Sequence, residues 1–123
     1  MSKILLVEDD PQISELYSIK LKSHGFEFTH AANGLIGLKA VEDSLHDLIL
    51  LDLRMPIMDG ETFLRILRKK ESWQEIPVIV LTNISKSEAP QTIWHLGISS
   101  YIVKAHTTPS ELVAAIDNIL SDE

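Results

Sequence analysis

Four short blocks of uninterrupted apolar residues punctuate the chain: "ILLV" at 4–7, "LILL" at 48–51, "VIVL" at 78–81 and "YIV" at 101–103. Each is too short for a helix and is flanked by turn formers or charge, the pattern of a strand buried on both faces. "FEFTH" at 26–30 alternates instead, as an edge strand with one wetter face does. The segments between these blocks read as helices. Asp10 is placed to cap a helix with Pro11 in its first position, after which Ile13, Leu16, Tyr17 and Leu21 share one face, and His24 with Gly25 stops it. A second helix is predicted from Asn33, and a third from about Gly60 to Lys70 with Phe63, Ile66 and Leu67 inward. A fourth should precede Gly97, with Pro90 tolerated only in its first turn. The last opens on a capping box, Thr108 to Glu111 around Pro109, and turns Leu112, Val113, Ile116 and Ile119 inward.

Strand and helix thus alternate five times, which implies an α/β doubly wound, five-stranded parallel sheet with five helices and right-handed crossovers. Residues 1–123 fit one domain. In such sheets, ligands bind at the carboxyl ends of the strands, where the strand order reverses.

Composition narrows the function. Apolar residues at 45% and charged residues at 24% are ordinary for a globular protein. The net charge of −7 argues against nucleic acid as a partner, since phosphate binders cluster Lys and Arg. The basic group Arg65, Arg68, Lys69 and Lys70 is more simply a solvated helix face. No cysteine is present, so disulfides, thiolate metal sites and thiol catalysis are excluded. No apolar run approaches the roughly 20 residues of a membrane span, and "MSKILLVEDD" meets acid where an export signal would stay apolar. A cytoplasmic protein without a membrane partner is expected.

The candidate chemistry collects at one edge of the sheet. Glu8 and Asp9 follow the first strand, Asp52 the third, Thr82 and Asn83 the fourth and Lys104 the fifth. Three carboxylates in one crevice repel each other, and a bound cation is the usual relief. Oxygen ligands without Cys or paired His favour a hard ion such as Mg²⁺. A carboxylate beside that ion, with an ammonium and a hydroxyl opposite, has the parts for phosphoryl transfer, and Asp52 is the expected nucleophile.

"KILLVEDDP", "LILLDLRMPIMDG", "PVIVLTN" and "SSYIVK" together resemble the four signature blocks of the response-regulator receiver domain of two-component signalling, in order and across essentially the whole chain. The resemblance implies a flavodoxin-like fold with strand order 2-1-3-4-5, an order borrowed from that fold rather than read from the residues. It implies that Asp52 takes a phosphoryl group from a phosphohistidine on a sensor histidine kinase or histidine phosphotransfer protein. Asp9, Asp52 and the backbone carbonyl of Arg54 would bind Mg²⁺, with Glu8 assisting through water. Thr82 would donate its hydroxyl to the phosphoryl group and Lys104 would pair with it. Tyr101 would turn inward as a switch, altering the surface of the fourth helix, fifth strand and fifth helix for a downstream protein target.

Several residues have plainer readings. Asp10, beside Pro11, is a helix cap before it is a third ligand; Asp59 and Asp47 are turn and strand-entry residues, and the histidines lack ligand spacing. Two positions depart from the family. Ala105 follows Lys104 where proline with a cis bond is usual, and a cis bond before a non-proline residue costs roughly 2.5 to 4 kcal/mol, so a trans or strained peptide is expected. Asn83 replaces the usual small residue after Thr82, and with Arg54 it borders the route to Asp52.

The leading expectation is a stand-alone receiver that is no enzyme beyond assisting its own phosphorylation and dephosphorylation. A Mg²⁺-dependent aspartyl-phosphate phosphatase would place its nucleophile after the first strand in an Asp-x-Asp arrangement, whereas Glu8, Asp9 and Asp10 stand there. A nucleotide-binding flavodoxin-like protein would carry a glycine-rich loop at that point. A degenerate receiver used only for protein contacts is the remaining alternative.

Overall fold

The computed structural model describes residues 2–121. Five parallel strands, β1 (Lys3–Val7), β2 (Glu27–Ala31), β3 (Leu48–Leu51), β4 (Val78–Thr82) and β5 (Ser100–Val103), form one sheet in the order β2-β1-β3-β4-β5. The α-helices are α1 (Pro11–Ser23), α2 (Gly34–Asp43), α3 (Gly60–Lys69) and α4 (Pro109–Ser121). Alternate residues of the central strands feed two cores. Leu5, Val7, Ile49, Leu51, Val78 and Val80 pack with Val41, Phe63, Leu64 and Leu67 of α2 and α3. Ile4, Leu6, Leu48, Leu50, Ile79 and Leu81 pack with Tyr17, Leu21, Leu112, Val113 and Ile116 of α1 and α4. Burial on both faces is why the central strands read as unbroken aliphatic runs, while the edge strand β2 alternates.

The helix starts follow their caps. The side chains of Asp10, Asn33 and Asp59 accept the orphan N–H groups of Gln12 and Ile13, Ile36 and Thr62 respectively. The Thr108 and Glu111 side chains each accept the other residue's backbone N–H, closing the capping box. Asp47 accepts the Lys3 N–H at 2.7 Å at the strand entry.

Among the described residues the expected five helices are four. The segment ahead of Gly97 forms two 3₁₀ turns, Lys86–Glu88 and Gln91–His95. Pro90 lacks an N–H and holds Ala89 extended at ψ 147°, so no helix passes it, and the residues left before Gly97 are too few for a settled α-helix. Two inward assignments also fail: Leu16 is 55% exposed and Ile66 is 37% exposed. The buried stripes run through Ser14, Tyr17 and Leu21 in α1, and through Gly60, Phe63, Leu64 and Leu67 in α3, which turns Leu16 and Ile66 about a third of a turn away.

Candidate functional site

The loop after β3 is built to hold the chain close behind Asp52. The Asp52 N–H donates to the Val7 carbonyl at 3.0 Å, continuing the β1–β3 ladder past the last strand residue. Gly60 then packs against the same stretch, where a Cβ would run into the Asp52 carbonyl, so no larger residue fits. Its N–H closes the loop on the Leu53 carbonyl at 3.0 Å. At the loop's tip, Ile57 has φ 71° and Met58 N–H bonds the Pro56 carbonyl at 2.7 Å, a tight γ-turn with a β-branched residue in the left-handed region.

Four of the expected side chains meet at this rim. Glu8, Asp9 and Asp52 each offer a carboxylate oxygen within 4.8 Å of the others; Glu8 and Asp52 are buried, and Asp9 is exposed. Lys104 reaches across from the end of β5, donating from Nζ to Glu8 Oε1 and, at 3.0 Å, to Asp52 Oδ2. The other Glu8 oxygen takes the Asp10 N–H at 3.1 Å. Among the described residues no peptide bond is cis, so the Lys104–Ala105 bond is trans, and the lysine reaches the carboxylates without the family's proline.

The electrostatics follow from this crowding. Burial raises the Glu8 carboxyl above the ordinary value, with Asp52 adding to the rise and the Lys104 and Asp10 hydrogen bonds opposing it. Burial works against the Lys104 ammonium, but its bonds and attraction to Glu8 and Asp52 outweigh that and raise it. One lysine faces three carboxylates, an all-oxygen set with an excess of negative charge and one exposed member. Such donors fit a hard divalent cation.

Thr82 lies at the end of β4, almost fully buried, and its Oγ1 accepts the Ile84 N–H at 3.4 Å. Tyr101 is buried on β5, donates its hydroxyl to the Ile84 carbonyl at 2.6 Å and lies 5.3 Å from the Trp94 ring. The Arg54 N–H lies 3.4 Å from Asp52 Oδ1, and its side chain is exposed. Sequence reasoning missed His30, whose Nε2 bonds the Glu8 carbonyl at 2.6 Å. The signal available was positional: His30 is the next-to-last residue of β2, beside the end of β1.

A doubly wound sheet with an acidic pair after β1, an aspartate after β3, a hydroxyl on the last residue of β4 and a lysine after β5 has the layout of a receiver module in a two-component system. The family described as the response regulator receiver domain matches residues 4–117, and the chain belongs to it. It is 33% identical over 120 residues to the DNA-binding dual master transcriptional regulator RpaA of Synechocystis, covering 98% of this chain and 49% of RpaA. Among solved structures it resembles the Thermotoga maritima response regulator TrrA in complex with Mg²⁺-BeF, at 30% identity and TM-score 0.83, covering 98% of this chain and 99% of that one. It also resembles the receiver domain of the sensor histidine kinase PA1611 of Pseudomonas aeruginosa, which has magnesium coordinated in its active site cleft, at 28% identity and TM-score 0.89, covering 98% of each chain.

The chain spans about half the length of the curated relatives it matches. The expectation of no nucleic-acid partner is therefore corrected. RpaA is a DNA-binding regulator that contains a counterpart of this chain in about half its length, and an acidic receiver is no bar to such a role because its own surface need not touch phosphates. No helix among the described residues is long and apolar enough to cross a membrane.

Proposed function

We propose that residues 1–123 act as one cytoplasmic receiver domain in which Asp52 accepts a phosphoryl group from a phosphohistidine of a sensor histidine kinase or histidine phosphotransfer protein. The observation that carries this reading is Lys104, an ammonium from β5 bonded to the buried Asp52 and Glu8 carboxylates beside the exposed Asp9. An Asp52 oxygen forms the new O–P bond while the P–N bond to the donor imidazole breaks and the imidazole leaves with the bonding pair. Lys104 would follow the phosphoryl oxygens, and Thr82 would donate its hydroxyl to them. Asp9, Asp52 and the Arg54 carbonyl would hold Mg²⁺, with Glu8 acting through water. The ion, when bound, supplies neutralisation of the charge that builds on the phosphoryl oxygens.

The read-out passes through Ile84. Thr82 accepts its N–H and Tyr101 donates to its carbonyl, so drawing Thr82 toward a phosphoryl group releases one of two bonds on that residue. The affected surface is the 3₁₀ segment Gln91–His95 with β5 and α4, offered to a downstream protein target. The domain assists its own phosphoryl uptake and loss and turns over no external substrate.

The test is incubation with Mg²⁺ and a small acyl phosphate, followed by intact mass. One added phosphoryl group on the wild type and none on Asp52→Asn is expected. Equal labelling of both proteins, or none on the wild type, would contradict the assignment.

A further inference from the structure

Among the described residues, His30 is the one histidine bonded to the acidic rim. Past the last β1 residue, the Glu8 N–H bonds the Ala31 carbonyl at 2.9 Å, so β2 already holds one polar group of Glu8's backbone. The Glu8 carbonyl lies beyond that bond, and His30 Nε2 holds it at 2.6 Å. This carbonyl belongs to the peptide joining Glu8 to Asp9. On the far side of Asp9, the Asp10 N–H is tied to Glu8 Oε2 at 3.1 Å, and the Asp10 side chain caps α1. Asp9 is thus an exposed carboxylate on a backbone fixed at both ends, and His30 supplies the fixing bond on its amino side.

We infer that His30 is a positioning residue for divalent-cation binding: by holding the Glu8–Asp9 peptide plane, it keeps Asp9 within reach of Asp52. The inference rests on the reading of Asp9 and Asp52 as the cation's ligands. It does not depend on the charge of His30, because an Nε2–H donates to the carbonyl in both the Nε2-protonated neutral ring and the imidazolium. The side chain is exposed on an edge strand, so its contribution falls on the rim rather than on the core. Groups that orient metal ligands from behind are typically worth about 10–100-fold in affinity. His30 acts through the backbone rather than on a ligand oxygen, which places it at the lower end, about tenfold.

The experiment is Mg²⁺ titration of the unphosphorylated protein by calorimetry, with Asp9→Asn, His30→Phe and His30→Gln beside the wild type. Phe keeps a ring and strand propensity without a donor, whereas Gln keeps an N–H donor of similar reach. Expected are Mg²⁺ affinity about tenfold weaker in His30→Phe, substantial recovery in His30→Gln, and a metal-free melting temperature little changed in either. Labelling by acyl phosphate should follow suit, with His30→Phe needing more Mg²⁺ but reaching the wild-type rate at saturation. Wild-type affinity in His30→Phe while Asp9→Asn loses binding would overturn the role of His30 alone. A loss in His30→Phe matched by an equal loss of thermal stability would overturn it too, as a merely structural effect. Equal Mg²⁺ affinity in wild type and Asp9→Asn would overturn the ligand reading and the inference together.

Discussion

The β1–β3 rim lies at the carboxyl edge of the sheet, the segment between β4 and β5 runs from that edge back to the amino edge, and the two are built by opposite means. At the rim, ladder bonds run on past the strands, Gly60 packs on the Asp52 backbone, and buried charges of both signs are paired. Between β4 and β5 the chain forms 3₁₀ turns without side-chain caps. Ile93 anchors it in the core, and a few side chains tie it down. Arg68 bonds the Leu96 and Gly97 carbonyls at 2.7 and 3.2 Å, Thr92 bonds Glu61, and Tyr101 bonds Ile84. Under the proposed function, chemistry that needs fixed distances would fall on the rigid part, and a response that needs movement on the part with fewer ties.

The largest expected effect comes from breaking the rigid part. Lys104→Ala leaves Glu8 and Asp52 without their cation and should cost about 3 kcal/mol in urea unfolding, with Mg²⁺ restoring part of the loss. The pH dependence has a definite sign. Because Lys104 is raised in the fold, its stabilisation is present below about pH 10.5 and is lost as pH rises through the folded value. Glu8, also raised, acts with the same sign in a lower window: its ionisation costs stability as pH rises from about 4.5 through its folded value. A wild-type-like midpoint in Lys104→Ala at neutral pH would show that the rim does not depend on this pairing.

A smaller effect is expected in the softer region. Arg68→Ala removes charged hydrogen bonds to the carbonyls of Leu96, Gly97 and, at 3.1 Å, Trp73, and should cost about 2 kcal/mol. Amide exchange should quicken in residues 93–99 and leave the β1–β3 rim unchanged. Uniform quickening across the sheet would erase the distinction between the regions.

The smallest effect concerns access. Asn83 and Arg54 are both exposed, and trimming either to Ala should open the route to Asp52. Dephosphorylation is expected to speed up about threefold, a barrier change below 1 kcal/mol. Unchanged rates in both variants would remove them from that route.

Much of this layout is legible in the residues, for local reasons. Strands buried on both faces must be unbroken aliphatic runs, and helix starts advertise their caps at Asp10, Asn33 and Thr108 with Glu111. The end of each strand then marks which polar side chains reach the rim. What spacing cannot convey is the width of a helix's buried stripe, which is why Leu16 and Ile66 look inward and are not. The segment after Pro90 has apolar residues at helical intervals but too little chain to complete a helix. The Glu8–Lys104 bond joins positions 96 residues apart, and His30 touches a backbone carbonyl rather than a patterned partner. Such contacts become visible only when the strands are side by side.

Hydrogen exchange with Mg²⁺ and acyl phosphate, on wild type and Asp52→Asn, tests the central claim most directly. Altered protection across residues 84–103 is expected in the wild type alone, with the hydrogen-bonded β1 and β3 amides unmoved. The same change in Asp52→Asn, or no change in a wild type shown to be phosphorylated, would contradict it.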